Sequence, residues 1–335
     1  MEWMKHVLGR SWIPAALAAL LAAACGEKPA PKGTGGTGGT APQRAPAVVA
    51  DGTKTDWWDA AKTKKKLEGE IRGGVQEGDW HWWYEDGQPE KSATFRGGAL
   101  DGMSLEWFPS GTKKSEIHWS NGKKTELARE WFENGQLRAE VTFVDGVMNG
   151  PRKEWHENGK LAREGNVVNG LEEGPWTTYH PTGEKAVEGS FVAGKQDGHY
   201  VSWHPNGGKS SEGEYRAGRQ VGAWKSWYPS GPVEKEVTYV DGQLDGPCTL
   251  WFESGVVQRK ASFARGLPEG EILEYGPGGA LLVQGHYVAG QRDGEWRVYG
   301  DDGVLDPVKS GIYAADARTG DLPVEASPDR DGVKK

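Results

Sequence analysis

The sequence predicts an all-β, elongated repeat protein: a single twisted antiparallel meander of about ten 24-residue β-hairpin repeats. Three observations carry this. Aromatic residues recur every 24 positions at Trp83, Trp107, Trp131, Trp155, Tyr179, Trp203, Trp227, Trp251, Tyr275 and Tyr299. In a chain that is 10% aromatic, that run has a chance frequency of roughly one in ten billion. Glycines keep the same interval in three rows, from Gly87 to Gly303, from Gly98 to Gly290, and from Gly78 to Gly294, the last broken only by Glu126. Finally, the residues after each turn alternate. Lys185, Val187, Gly189 and Phe191 fall on one side, and Ala186, Glu188 and Ser190 on the other, which is the period of a half-buried strand and not of a helix. Loops of an ordinary domain drift in length. An unbroken register from 78 to 303 means that every unit stacks on the next and must match its size.

Within one unit the first strand is rich in aromatics, as strands favour. A turn follows. Pro109, Pro181, Pro205, Pro229 and Pro277 stand two places before its glycine. Proline suits the second position of a type I turn, with glycine in the left-handed bulge position behind it; an Asn-Gly type I′ turn is the alternative. In the second strand one side gathers Leu137, Leu161, Val233, Phe95, Trp119 and Tyr215. The other holds Glu116, Glu140, Glu164, Glu188, Glu212 and Glu236. A second glycine-marked turn, as in VDGVMNG (144–150), leads to the next hairpin. A lone hairpin is marginal in water, but stacked units cover one another's edges. About twenty strands would extend ~95 Å at ~4.8 Å each, with ~20° of twist per strand.

The repeat domain is expected over 57–315, with a partial first repeat at 64–77 and ten repeats from 78. Lysines in KKKLEGEIRGG (64–74) protect the first edge. Residues 316–335 are expected as a disordered tail. The front of the chain differs in kind. Lys5 and Arg10 precede the apolar run IPAALAALLAAA (13–24) and Cys25, the pattern of a secretory signal over 1–24 that is too short to span a bilayer comfortably. LAAAC resembles a bacterial lipobox, which implies cleavage before Cys25 and its lipidation. Residues 25–56, dominated by Gly, Pro, Thr and Ala, form a flexible tether. The absence of aspartate after Cys25 implies the outer membrane for such a lipoprotein.

Catalytic motifs are missing from the text: no phosphate loop, nucleophile elbow or zinc helix occurs. His156, His180 and His204 share one repeat position. Equivalent positions lie roughly 9–10 Å apart, too far to share an ion whose ligands stand ~2.1 Å away. The same column holds Tyr84, Phe108, Phe132, Tyr228 and Phe252, so these histidines are expected to act as amphipathic rings. No metal or other cofactor is expected. Cys248 sits in a column otherwise held by Trp80, Trp176, Trp224 and Trp296 and is expected as a small packing residue. The net charge of −8 gives no reason to expect nucleic-acid binding.

The pattern W-[FY]-x-[ND]-G, a short gap, [FY], then G-x-x-x-G, seen in EWFENGQLRAEVTFVDGVMNG (130–150), resembles the bacterial variant of the MORN repeat found in the YwqK family of antitoxins. That resemblance implies scaffolding, protein binding or, in some relatives, lipid contact. The expected function is therefore a lipid-anchored, monomeric, non-catalytic cell-envelope protein that binds a protein partner. A carbohydrate or cell-wall binder, or an antitoxin or immunity protein, is the alternative. Candidate binding residues are the ladder Trp131, Trp155, Tyr179, Trp203 and Trp227, with the glutamate column on the opposite face as the second candidate.

Overall fold

The computed structural model describes residues 50–323. Contacts divide the chain into Met1–Ala47 and Val48–Lys335, and only the second unit is described below. The signal segment, Cys25 and most of the tether lie outside the described residues.

Among the described residues there is no helix. Twenty-five strands form one antiparallel sheet, and each pairs with its neighbours in the chain, from Gly52–Trp57 on Lys65–Arg72 to Gly311–Ala314 on Ala317–Gly320. No pairing joins the first strand to the last, so the meander is open. Two of the strands, Lys195–Gln196 and Leu267–Pro268, are the first parts of strands interrupted before Gly198 and Gly270.

One hairpin shows how the sequence sets the geometry. Leu171–Tyr179 pairs with Lys185–Val192. In the turn between them the Gly183 N–H donates to the His180 carbonyl at 2.8 Å, and the His180 N–H donates to the Glu184 carbonyl at 2.8 Å. Gly183 alone takes a left-handed φ, +98°. This is the expected type I turn with a glycine bulge. It holds even at Asn134-Gly135, where only the glycine, at φ +86°, is left-handed.

The turn between units is of the other kind. Ala193 (φ 48°) and Gly194 (φ 77°) are both left-handed, a type I′ turn that closes Val192 on Lys195. Such a φ costs an L-residue about 1–2 kcal/mol. Asn121, Asp145, Asn169 and Asp241 tolerate it; Ala193, Ala217, Arg265 and Ala289, at φ 48–50°, are poorly suited. Each of these four receives a compensating bond. Its N–H donates to a carboxylate twenty residues earlier: Ala193 to Glu173 (2.8 Å), Ala217 to Asp197 (2.9 Å), Arg265 to Asp245 (3.1 Å) and Ala289 to Glu269 (2.7 Å). The third glycine row forms bulges. Asn166 pairs with Glu173 and Glu164 with Thr177, so Gly174, Pro175 and Trp176 together oppose Gly165.

Three expectations are corrected. The tether does not reach residue 56, because Gly52–Trp57 pairs along its length with Lys65–Arg72 and completes the first hairpin. The tail does not begin at 316, because Ala317–Gly320 is a strand; 324–335 lie outside the described residues. Third, Lys185 does not share a side with Val187. The pairing steps from Tyr179↔Lys185 to Thr178↔Val187 and leaves Ala186 unmatched. This bulge turns Lys185 to the side of Glu188, with which it forms an ion pair.

Candidate functional site

The two sheet faces differ in chemistry. One is a buried zipper of rings. Trp176 meets Phe191 edge-on at 6.3 Å, Tyr215 meets Trp224 at 5.1 Å, and Tyr287 meets Trp296 at 5.0 Å. Trp80, Trp176, Trp224 and Trp296 are at most 7% exposed. Each lies flat over a glycine of the neighbouring strand. A Cβ added at Gly69, Gly165, Gly213 or Gly285 would stand 2.1–2.3 Å from the indole. Each indole N–H donates to the carbonyl just after that glycine: Glu70 (3.2 Å), Asn166 (3.1 Å), Glu214 (3.2 Å) and His286 (3.1 Å). Every tryptophan of this column meets a glycine. Where the indole column holds Ser104, Ala128, Arg152, Cys248 or Ile272, the glycine column holds Ala93, Ile117, Val141, Val237 or Ala261. Cys248, 1% exposed and opposite Val237, is a small filler, and burial pushes its thiol up to about 11.

Burial also pushes the Tyr215 hydroxyl from 10.0 up to about 12, and moves Tyr200, Tyr239 and Tyr287 in the same direction. These groups ionise first in the unfolded chain. Their contribution is therefore complete below pH 10.0 and lost above it, that of Tyr215 as pH rises through about 12. Melting temperature measured against pH should fall over that window, and Tyr215→Phe with Tyr239→Phe should make the fall shallower. An unchanged slope would remove these tyrosines as its cause.

The other face carries the predicted ladder. Trp131, Trp155, Tyr179, Trp203 and Trp227 each end their strand at the type I turn, and all five are partly exposed. The glutamate column lies on this same face, not opposite: the Tyr179 hydroxyl donates to Glu164 at 2.9 Å. Lys113, which bonds Glu116 at 2.9 Å, also lies 5.1 Å over Trp131. Bulges at the strand ends break the simple alternation that placed ladder and glutamates apart. The glutamates are engaged across the strands, Arg129 with Glu116 and Glu140, Lys153 with Glu164, and Lys225 with Glu236. Hydrogen bonding from Lys113 and Lys209 holds Glu116 and Glu212 below the usual carboxylate range. The column is thus a cross-strand charge ladder that ties units together.

The histidine column is explained by bonds to the ladder backbone. His156 Nε2 meets the Tyr179 carbonyl at 2.9 Å, His180 Nε2 the Trp203 carbonyl at 3.0 Å, and His204 Nε2 the Trp227 carbonyl at 2.8 Å. Tyr84 and Tyr228 do the same to Trp107 and Trp251, at 2.7 and 2.8 Å. Wherever that column holds His or Tyr, the ladder residue of the next unit is fixed by it; Trp131 and Trp155, which follow Phe108 and Phe132, have no such tie. At the turn, Asn134, Asn158 and Asn206 side chains donate to the carbonyls of Glu157, Pro181 and Pro229. The ladder indoles differ from the four that lie over glycines. Among the described residues, Trp107, Trp131, Trp155, Trp203, Trp227 and Trp251 have no protein acceptor for theirs, in contrast to the buried indoles. Lysines lie over Trp83, Trp131 and Trp227 at 5.1–5.8 Å; among the described residues none lies over Trp155, Tyr179 or Trp203. Beside this stretch a groove of about 510 Å³ is lined by His199, Glu212, Lys225 and Glu236, with His199 set between Glu212 (3.3 Å) and Glu214 (3.0 Å).

Five stretches of the chain match the MORN repeat variant. They are residues 76–96, 127–145, 148–169, 172–193 and 220–241, less than half of the sequence. Each MORN repeat variant match takes in one unit's own hairpin, most of its first strand, the type I turn and its whole second strand, and the intervening units keep the same period. No curated protein matches the chain. Among solved structures, a chain of the TcdB2–TccC3–Cdc42 crystal structure is 12% identical over 79% of this chain and 18% of that one, with a TM-score of 0.18. A chain of the Photorhabdus luminescens Tc holotoxin pore is 11% identical over 77% and 16%, with a TM-score of 0.19. This chain thus spans less than a fifth of either. At those TM-scores neither likeness bears on the fold.

The indole–glycine pairs and the carboxylates that serve the type I′ turns were not anticipated. Both leave a sequence signal, a glycine eleven residues before each buried tryptophan and an acid twenty before each ill-suited turn residue.

Proposed function

We propose that the repeat region is a non-catalytic binding module that presents its aromatic ladder to an extended protein partner, and that Cys25 anchors it by lipid to the outer membrane. The observation that carries the binding reading is the row of partly exposed rings, Trp131 to Trp227, of which Tyr179, Trp203 and Trp227 have their carbonyls held by the unit before. A fixed, periodic, half-exposed row of rings offers contact area with little left to order on binding. Single alanine variants of Trp131, Trp155, Tyr179, Trp203 and Trp227 test it, each read for melting temperature and for retention of a partner crosslinked in membranes. The proposal expects partner loss without a matching loss of stability. Proportional loss of both in every variant would make the ladder structural only.

The anchor is tested separately. Cys25→Ser should move the protein out of the detergent-soluble membrane fraction; identical partitioning of variant and parent would end that part of the proposal.

A further inference from the structure

We infer that Trp155, Tyr179 and Trp203 dock a proline-rich, basic segment of a partner protein in the polyproline II conformation. This rests on the ladder being the binding surface and adds the chemistry of what it binds. The first argument is spacing. Consecutive ladder rings stand two strands apart, ~9.4–9.8 Å. A polyproline II helix turns once in three residues with a rise of ~3.1 Å each, a repeat of ~9.3 Å. Over the two intervals from Trp155 to Trp203 the accumulated mismatch is at most ~1 Å. An extended β-strand repeats its side chains every ~6.6–6.8 Å and falls out of step at the second ring.

The second argument is hydrogen bonding. Polyproline II has no internal hydrogen bonds, so its carbonyls need donors from outside. The Trp155 and Trp203 indoles have no protein acceptor among the described residues, whereas the indoles of Trp80, Trp176, Trp224 and Trp296 are all committed. Two units separate Trp155 from Trp203, ~19 Å, and six residues of polyproline II cover ~18.6 Å. Both indoles can therefore serve one segment, with Tyr179 packing on a proline between them. Aromatic-lined surfaces recognise this helix because it is ordered before it binds.

Charge is the third argument. The chain carries −8, and Glu164, whose other oxygen meets Lys153 at 3.2 Å, stands at the Tyr179 hydroxyl. Lysines already lie over Trp131 and Trp227, the rings on either side, and leave the middle three open. Arginine or lysine spaced between the prolines complements such a surface.

The test uses the full chain and fluorescence anisotropy with labelled peptides of about twelve residues, long enough to cover three rings. One repeats Pro-Pro-Arg, and one repeats Gly-Ser-Arg with the same charge. A β-1,4-linked hexasaccharide is the third probe. Saturable binding is expected for the proline peptide alone. Trp155→Phe and Trp203→Phe keep a ring and delete the donor. Each should weaken binding about three- to tenfold, with the melting temperature unchanged. Equal binding of the Gly-Ser-Arg peptide, parental affinity in both Phe variants, or binding of the saccharide in place of the peptide would overturn the inference. If the peptides fail while the crosslinked partner still depends on Trp155 and Trp203, the ladder remains the binding surface and only the polyproline chemistry falls.

Discussion

Replacing Gly165 by valine is expected to destabilise the sheet by about 3–5 kcal/mol, the scale of losing a buried tryptophan. A Cβ at Gly165 would stand 2.2 Å from Trp176 Cδ2, closer than any side-chain adjustment absorbs. Trp176 cannot slide away: its ring is confined by Phe191 at 6.3 Å and the Arg163 guanidinium at 4.1 Å, and its N–H is held by the Asn166 carbonyl at 3.1 Å. The ring must leave, and its burial and hydrogen bond go with it. The same chain shows how to repair the defect. Val237 and Cys248 occupy these two columns elsewhere and are buried to 3% and 1% exposure. Gly165→Val with Trp176→Cys should therefore be more stable than Gly165→Val alone, with a coupling of at least ~2 kcal/mol, near the upper part of the range for residues in contact. Urea melts of the two single variants and the double decide it. Additive effects would show that the two columns are not filled jointly.

Much of the fold was legible because it is local and repeated. Turn chemistry is written within four residues, so Pro181, Thr182 and Gly183 suffice to specify a type I turn with a glycine bulge. The fixed interval between Trp131, Trp155 and Tyr179 then forces neighbouring units to pair in order. What the sequence did not show depends on register between strands. Glu164 and Tyr179 share a face because Ala186 and its equivalents are left unmatched beside the turn, and strict alternation cannot see an extra residue. Trp176 and Gly165 meet because three residues oppose one across a bulge. The caps on Ala193 and Ala217 come from acids a whole strand pair away. At the candidate site, the ladder residues were visible from their period, and the amphipathic role of His156, His180 and His204 from the Tyr and Phe that share their column. Which indole donors are committed and which are not required coordinates.

The second large effect concerns the unit itself. Deleting 174–197 removes one whole repeat and joins Glu173 to Gly198. Gly198 then stands where Gly174 stood, opposite Tyr215 in place of Phe191. Tyr200 replaces Trp176 over Gly165, and His156 meets the Trp203 carbonyl in place of that of Tyr179. Every column continues, and the loss is one unit with one of its interfaces. Deleting 174–185 removes half as much chain but also the type I turn at His180–Gly183. The strand begun at Leu171 would run directly into 186–192, without the bulge at Gly174 and with no ring over Gly165. All later strands would reverse direction relative to those before, so type I′ turns would fall on the edge that type I turns occupy. The ties from His156 and Asn158 to the next unit would have no partners. Thermal and urea melts of these two deletions beside the parent test the stacked 24-residue unit most directly. The account predicts a single cooperative transition close to the parent for the deletion of 174–197, and a much lower midpoint or two separate transitions for the deletion of 174–185. Equal stability of the two would contradict it.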